Sequence, residues 1–70
     1  MLSALIVEDM PQAAEALERD LAEHCPEVTV AGKAGSIVSA AKMLGQLTPD
    51  ILFLDILLGD GTGFDLLDIF

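Results

Sequence analysis

The stretch Ile51-Leu52-Phe53-Leu54-Asp55 decides the fold of this chain. Four successive apolar residues predict a buried strand, and the carboxylate that follows ends it. A second stretch, Ala4-Leu5-Ile6-Val7, has the same character and ends in the acidic pair Glu8-Asp9. Because open parallel sheets carry their ligand sites at the carboxyl ends of the strands, the two stretches predict one acidic site at one edge of a sheet.

Strands and helices alternate outward from these two stretches. Strands are predicted at residues 3–7, 27–31 and 50–56, and helices at residues 11–24 and 35–47 and from Phe64 onward. Residues 57–63, with three glycines, are predicted to form a loop. This order with short links predicts an α/β fold with right-handed crossovers and a parallel sheet.

The size of the chain limits how much core it can form. It has 70 residues, of which 53% are hydrophobic, and its mean hydropathy is +0.59. A chain of this length buries only ~60% of the surface that its unfolded form exposes. Residues 64–70 are mostly apolar and carry no helix stop signal. We therefore expect a piece of a larger domain, or one partner of an obligate assembly.

The charge and the single cysteine exclude several classes of function. Twelve acidic residues against three basic ones give a net charge of −9, so direct contact with nucleic acid is not expected. Cys25 alone permits no internal disulfide, which favours a reducing, cytoplasmic location. No apolar stretch approaches the ~20 residues that cross a membrane.

Three carboxylates are expected to converge. If the first and third strands are neighbours, in the order 2-1-3, then Glu8, Asp9 and Asp55 meet at one end of the sheet. Such carboxylates repel one another and must bind protons or a cation, and oxygen ligands with room for water suit Mg²⁺. The alternative is that these residues mark strand ends, with Asp9 and Gln12 forming a capping box for the first helix.

Four features together resemble the first half of a response-regulator receiver domain of the CheY-like type. They are the pair Glu8-Asp9 after the first strand, Pro11 at the start of the first helix, Asp55 in Phe-Leu-Asp-Ile, and Gly63 eight residues later. The resemblance covers all 70 residues. It implies a three-layer flavodoxin-like fold with strand order 2-1-3, truncated before the fourth and fifth strands. Residues 1–70 would then be a partial receiver domain.

The resemblance also implies roles for individual residues. Asp55 would accept a phosphoryl group from a sensor histidine kinase or a phosphotransfer protein. Asp9 and Asp55 would bind Mg²⁺ directly, Glu8 would act through a bound water, and the backbone carbonyl of Leu57 would supply a further ligand. The chain would be a phosphoacceptor in two-component signalling rather than an enzyme acting on a separate substrate. Such chemistry is mostly positioning and neutralisation of charge.

The run Asp-Ile-x-Leu-x-Asp-x-x-Gly further resembles receivers attached to LytTR-type DNA-binding domains, which implies a transcription regulator with a separate output domain. Two departures stand out. Leu58 and Gly59 occupy positions where the family often has Met-Pro, which predicts a softer loop around Leu57. The family's threonine or serine on the fourth strand and lysine on the fifth have no counterpart, so we expect poor phosphorylation and no signalling from these residues alone.

Two other interpretations remain open. The segment from Leu54 to Gly63 also resembles a nucleotide- or S-adenosylmethionine-binding loop of a Rossmann-like fragment, although its first glycine comes four residues after the acid. Alternatively, a truncated receiver serves only as a dimerisation module, through the exposed edge of the third strand or through the third helix. Among single residues, Asp60 is expected to be a solvated loop acid, and Phe53 and Phe64 are expected to anchor the core.

Overall fold

The computed structural model of the chain describes residues 1–55 and 57–69. In chain order its elements are β1 (Leu2–Val7), α1 (Pro11–His24), β2 (Val28–Ala34), α2 (Ile37–Leu44), β3 (Ile51–Leu54), β4 (Leu57–Leu58), β5 (Gly61–Thr62) and α3 (Gly63–Ile69). The first three strands form a parallel sheet in the order β2-β1-β3, which confirms the predicted order 2-1-3.

β1 is the central strand of this sheet, and both of its faces are buried. Ala4, Leu5, Ile6 and Val7 are each at most 1% exposed. Side chains alternate across a strand, so Leu5 and Val7 pack with residues of α2 and α3, while Ile6 packs with residues of α1. The helices therefore cover the sheet from two sides, which confirms the predicted three-layer α/β fold.

β2 is longer than predicted. The sequence predicts a strand at residues 27–31, whereas the structure has Val28–Ala34. The register with β1 shifts between Ala4 and Leu5, so Ala31 is the extra residue of a bulge. Beyond the bulge the strand continues through a glycine and a lysine, which lack the strand propensity that would have predicted the extension.

α2 is shorter than the predicted helix at residues 35–47, and spans Ile37–Leu44. Its start is set by Ser36, whose Oγ accepts a hydrogen bond from the Ser39 N–H (3.0 Å), while the Ser39 Oγ accepts one from the Ser36 N–H (3.1 Å). This is a capping box with serine in both places. Gly45 forms the C-cap and ends the helix.

β3 is also shorter than predicted, spanning Ile51–Leu54 rather than residues 50–56. Asp50 lies before the strand and holds its start: the Ser3 N–H donates to Asp50 Oδ2 (2.9 Å), and the Asp50 N–H donates to the Ser3 carbonyl oxygen (2.9 Å). The predicted last residue, Ile56, lies outside the described residues. The residues of β3 are half-buried, and among the described strands β3 pairs with β1 alone.

The predicted loop at residues 57–63 is wrong in part, because it contains a hairpin. β4 and β5 pair antiparallel, with Leu57 opposite Thr62 and Leu58 opposite Gly61. The two residues Gly59-Asp60 form the turn between them. Gly-Asp between two short runs is a known hairpin signal, so the sequence did carry the information.

α3 spans Gly63–Ile69 and begins one residue before its predicted start at Phe64. Its anchor in the core is Leu66, which is fully buried, and not Phe64, which is 63% exposed. The prediction for Phe64 is therefore wrong. Phe53 of β3 is half-buried and packs against the α1 side of the sheet. None of the three helices in the described part of the chain has the length and apolar character of a membrane span.

Candidate functional site

The sheet brings the two acidic stretches side by side. One residue beyond the strand ends, the Asp55 N–H donates to the carbonyl oxygen of Val7 (3.0 Å), and the Glu8 N–H donates to that of Ala34 (2.9 Å). These two bonds continue the parallel ladder on both sides of β1, so the carboxyl ends of the three strands lie level. The side chains of Glu8 and Asp55 consequently extend from neighbouring positions on the backbones of adjacent strands.

The side chains of the predicted cluster converge as well. One carboxylate oxygen from each of Glu8, Asp9 and Asp55 lies within 4.8 Å of the others. Glu8 and Asp55 are half-buried and Asp9 is exposed, so the cluster opens to solvent on one side. A hard, oxygen-only donor set with an open side for water fits Mg²⁺, which keeps several waters when proteins bind it.

The electrostatics of the cluster are visible at Glu8. Burial raises the pKa of the Glu8 carboxyl above its ordinary value, and the negative charge of Asp55, a hydrogen bond with Asp55 and the charge of Asp9 raise it further. The Met10 N–H opposes this rise by donating to Glu8 Oε1 (3.2 Å). A raised pKa means that the site favours an added positive charge, which a proton or a cation supplies.

The capping alternative for the acidic pair is wrong. α1 begins at Pro11, and its N-cap residue, Met10, makes no side-chain capping hydrogen bond. Proline at the first helical position has no N–H to satisfy, which lowers the need for a cap. Asp9 and Gln12 therefore do not form the expected capping box, and the Asp9 carboxylate lies with the cluster instead.

Leu57, the fourth predicted ligand, lies two residues after Asp55 at the start of β4, where it pairs with Thr62. The residue between them, Ile56, lies outside the described residues. The role of the Leu57 carbonyl as a ligand stays a prediction.

Asp60 is a residue whose role the sequence analysis missed. It was expected to be a solvated loop acid, but its Oδ1 accepts the Ile37 N–H (2.8 Å) and its Oδ2 accepts the Val38 N–H (3.3 Å). The bond from Ile37, with a further bond from Val38, lowers the pKa of the Asp60 carboxyl below its ordinary value. No sequence pattern connects a turn residue to helix donors 23 positions earlier in the chain.

Close packing explains two of the three glycines that follow Asp55, namely Gly61 and Gly63. A Cβ atom at Gly63 would lie 2.7 Å from the carbonyl oxygen of Asp55 and 2.9 Å from Leu54 Cγ. A Cβ atom at Gly61 would lie 2.8 Å from Asp65 Oδ2. These contacts account for Gly61 and Gly63 without a bound nucleotide, whereas a Cβ atom at Gly59 would have nothing within 4 Å.

Comparison with known proteins identifies relatives of the chain as a whole. No protein-family model matches the chain. The chain is 43% identical, over 93% of its length, to the sensory transduction protein LytT of Enterococcus faecalis, and 39% identical, over 94%, to the transcriptional regulatory protein CitB of Klebsiella pneumoniae. It is similar in structure to the response regulator domain of Thermotoga maritima CheB, with a TM-score of 0.88 at 25% identity.

The chain belongs to the CheY-like receiver family. It covers 51% of the CheB receiver domain, with 99% of its own residues aligned. It spans about a quarter of the length of the two curated relatives, 26% of LytT and 28% of CitB. The family membership confirms the predicted resemblance and the flavodoxin-like fold class.

Proposed function

We propose that Asp55 is the phosphoacceptor of a two-component response regulator, with Mg²⁺ held by Glu8, Asp9, Asp55 and the backbone carbonyl of Leu57. The observation that carries this proposal is the convergence of three carboxylates within 4.8 Å at the carboxyl ends of β1 and β3. Residues 1–70 correspond to the part of a receiver domain that holds this acidic cluster. The raised pKa of Glu8 is consistent with a site built for a cation.

The residues of the cluster would have different roles in phosphoryl transfer. A carboxylate oxygen of Asp55 attacks the phosphorus of a phosphohistidine, the new O–P bond forms as the P–N bond breaks, and the histidine nitrogen keeps the electron pair and takes up a proton. The cation, when bound, neutralises negative charge on the transferred oxygens. Asp9 and Asp55 would contribute direct ligands to the cation, while Glu8 would hold a water bound to it.

The partners follow from this role. We propose that a sensor histidine kinase or a phosphotransfer protein donates the phosphoryl group, and that an output domain, possessing DNA-binding activity, acts downstream in the cytoplasm. The name of LytT, a sensory transduction protein, supports a role in signalling, and that of CitB, a transcriptional regulatory protein, supports a role in transcription. The strongly negative charge of the chain gives no support to nucleic-acid contact by these residues themselves.

The test is phosphorylation of the intact protein by acetyl phosphate, followed by intact mass. The wild type should gain one phosphoryl group with Mg²⁺ and none with excess chelator. Asp55→Asn should gain none, because an amide oxygen is a poor nucleophile. Asp68→Asn is the matched control, since it removes the same charge from an exposed position on α3. Equal labelling of Asp55→Asn and wild type would refute the assignment.

A second proposal concerns association with a second copy of the chain, through the edge of β3 or through α3. On α3, Phe64 is 63% exposed and Leu67 is 53% exposed, and together they form an apolar surface one helical turn long. Light scattering over a range of concentrations should show dimers that Phe64→Asp disrupts. A wild type that stays monomeric at the highest concentration would exclude this association.

A further inference from the structure

The β4–β5 hairpin begins two residues after Asp55, and it is anchored in the core by Leu58. Leu58 is only 8% exposed and belongs to the cluster that includes Ile37, Ala40 and Leu66. Leu58 thus packs with residues of α2 and α3, while the turn residues Gly59 and Asp60 are exposed. The first residue of the hairpin is Leu57, whose carbonyl is the proposed fourth ligand.

Asp60 fastens the turn of this hairpin to α2. Its two carboxylate oxygens take the first two N–H groups of the helix, those of Ile37 and Val38, at 2.8 and 3.3 Å. The next donor, the Ser39 N–H, already bonds to Ser36 Oγ. Asp60 therefore completes the cap of α2 from a distant part of the chain, and a negative charge at this end of a helix is favourable.

A second set of bonds fastens the other end of the hairpin to α3. The Thr62 N–H donates to Asp65 Oδ2 (2.8 Å), and the Asp65 N–H donates to Thr62 Oγ1 (3.3 Å). This contact is local, between residues three apart, and it fixes β5 against the first turn of α3. Gly59, the other residue of the turn, lies in open space: a Cβ atom there would have nothing within 4 Å.

We propose that Asp60 is a positioning residue of the cation site: by binding the N-terminus of α2, it holds the hairpin so that the Leu57 carbonyl points at the cation. This inference rests on the proposed function. Asp60 is the second residue of the turn and lies three residues after Leu57, so a shift of the turn moves β4 and its first residue. Mg²⁺ requires near-octahedral geometry at about 2.0–2.1 Å, so its affinity is sensitive to small displacements of one ligand.

The coupling works in both directions by thermodynamic linkage. If the bonds from Asp60 favour Mg²⁺ binding, then Mg²⁺ must strengthen the bonds from Asp60 to Ile37 and Val38 by the same factor. The α2 N-terminus would then report on the state of the cation site. Slower exchange of these two amide protons when Mg²⁺ is added is the readout of this linkage, and it does not depend on phosphorylation.

The experiment compares Mg²⁺ affinity and amide exchange in the full chain for the wild type, Asp60→Ala, Asp60→Asn and Asp68→Asn. Asp60→Ala should weaken Mg²⁺ binding roughly tenfold, as expected for a residue that orients a metal ligand. The Mg²⁺ affinity of Asp60→Asn should lie between those of Asp60→Ala and the wild type, because the amide oxygen of asparagine still accepts the Ile37 N–H. Asp68→Asn should match the wild type.

The outcomes separate this inference from the proposed function. No Mg²⁺ binding by the wild type, or phosphorylation of Asp55→Asn, would overturn the proposed function and this inference with it. Normal Mg²⁺ binding by Asp60→Ala would overturn only the positioning role. If Asp60→Ala and Asp60→Asn lose Mg²⁺ affinity equally, the effect is due to the charge of Asp60, and the positioning role is overturned as well. If Asp60→Ala does not fold, Asp60→Asn decides: affinity equal to that of the wild type refutes the role.

Discussion

Replacing Glu8 with glutamine should make the metal-free protein more stable, although Glu8 belongs to the proposed site. Glu8, Asp9 and Asp55 present carboxylate oxygens within 4.8 Å of one another, and Glu8 is half-buried among them. Glutamine has nearly the same shape and keeps an oxygen that can accept the Met10 N–H. The substitution therefore removes the repulsion and leaves the local hydrogen bond in place.

The size of the effect follows from the spacing. Two unit charges 4.8 Å apart repel by about 0.9 kcal/mol in bulk water and by about 3.5 kcal/mol at an effective dielectric constant of 20. The cluster is open to solvent on one side, so the gain should lie near the lower value, about 1 kcal/mol. For a chain of this size, that corresponds to a rise in Tm of about 4–8 °C.

The pH dependence gives the sign of the effect. Because the folded-state pKa of Glu8 is raised, the stability that its protonated form confers is fully present below the ordinary value of 4.5 and is lost as pH rises through the folded pKa. The advantage of Glu8→Gln over the wild type should be absent below that value, grow above it, and reach its maximum once the folded-state carboxyl is ionised.

The assay is thermal or urea unfolding of the metal-free chain at several pH values, with Glu27→Gln as the matched control. Glu27 is an exposed acid away from the cluster, so its substitution removes the same charge without relieving the repulsion. Saturating Mg²⁺ should make the wild type more stable than Glu8→Gln, because the bound cation stabilises the folded wild type more strongly. Equal stability of Glu8→Gln and wild type at neutral pH would refute the electrostatic reasoning.

Three further predictions follow from the packing and the site. Gly63→Ala should destabilise the protein by about 1–3 kcal/mol, because its Cβ collides with the backbone at the end of β3, whereas Gly59→Ala has open space and should be nearly neutral in urea unfolding. Mg²⁺ affinity, measured by titration, should fall as pH falls through the raised pKa of Glu8, because protons then compete with the cation. Leu66→Ala should cost about 2–5 kcal/mol, and the exposed Leu67→Ala far less; similar losses would contradict the assigned core.

The parts of the fold that were predicted correctly depend on strong local periodicity. α1 was predicted with its observed bounds, because proline starts it and apolar residues recur on one face. β1 was predicted to within one residue from an unbroken apolar run. The site could be predicted because parallel strand order alone determines which strand ends meet, so Glu8 and Asp55 were matched without knowledge of any side-chain contact.

The parts that were missed depend on contacts between distant segments. The extension of β2 past Ala31 requires a bulge that only pairing with β1 reveals. The role of Asp60 requires the turn of the hairpin and the start of α2 to meet across 23 residues. Phe64 was placed in the core on hydrophobicity alone, whereas in α3, whose first residue Gly63 packs closely on the end of β3, Leu66 is the residue buried in the core.

The pairing of β1 with β3 has a consequence for folding. Ala4 pairs with Ile51, and the cluster joins Glu8 to Asp55, so each contact closes a loop that contains most of the chain. Closing such a long loop costs more conformational entropy than forming a helix from neighbouring residues. These contacts should therefore form late in folding. A partly folded chain would then hold its acids far apart and bind neither a cation nor a phosphoryl group. The chemistry would therefore be available only to molecules whose folding is nearly complete.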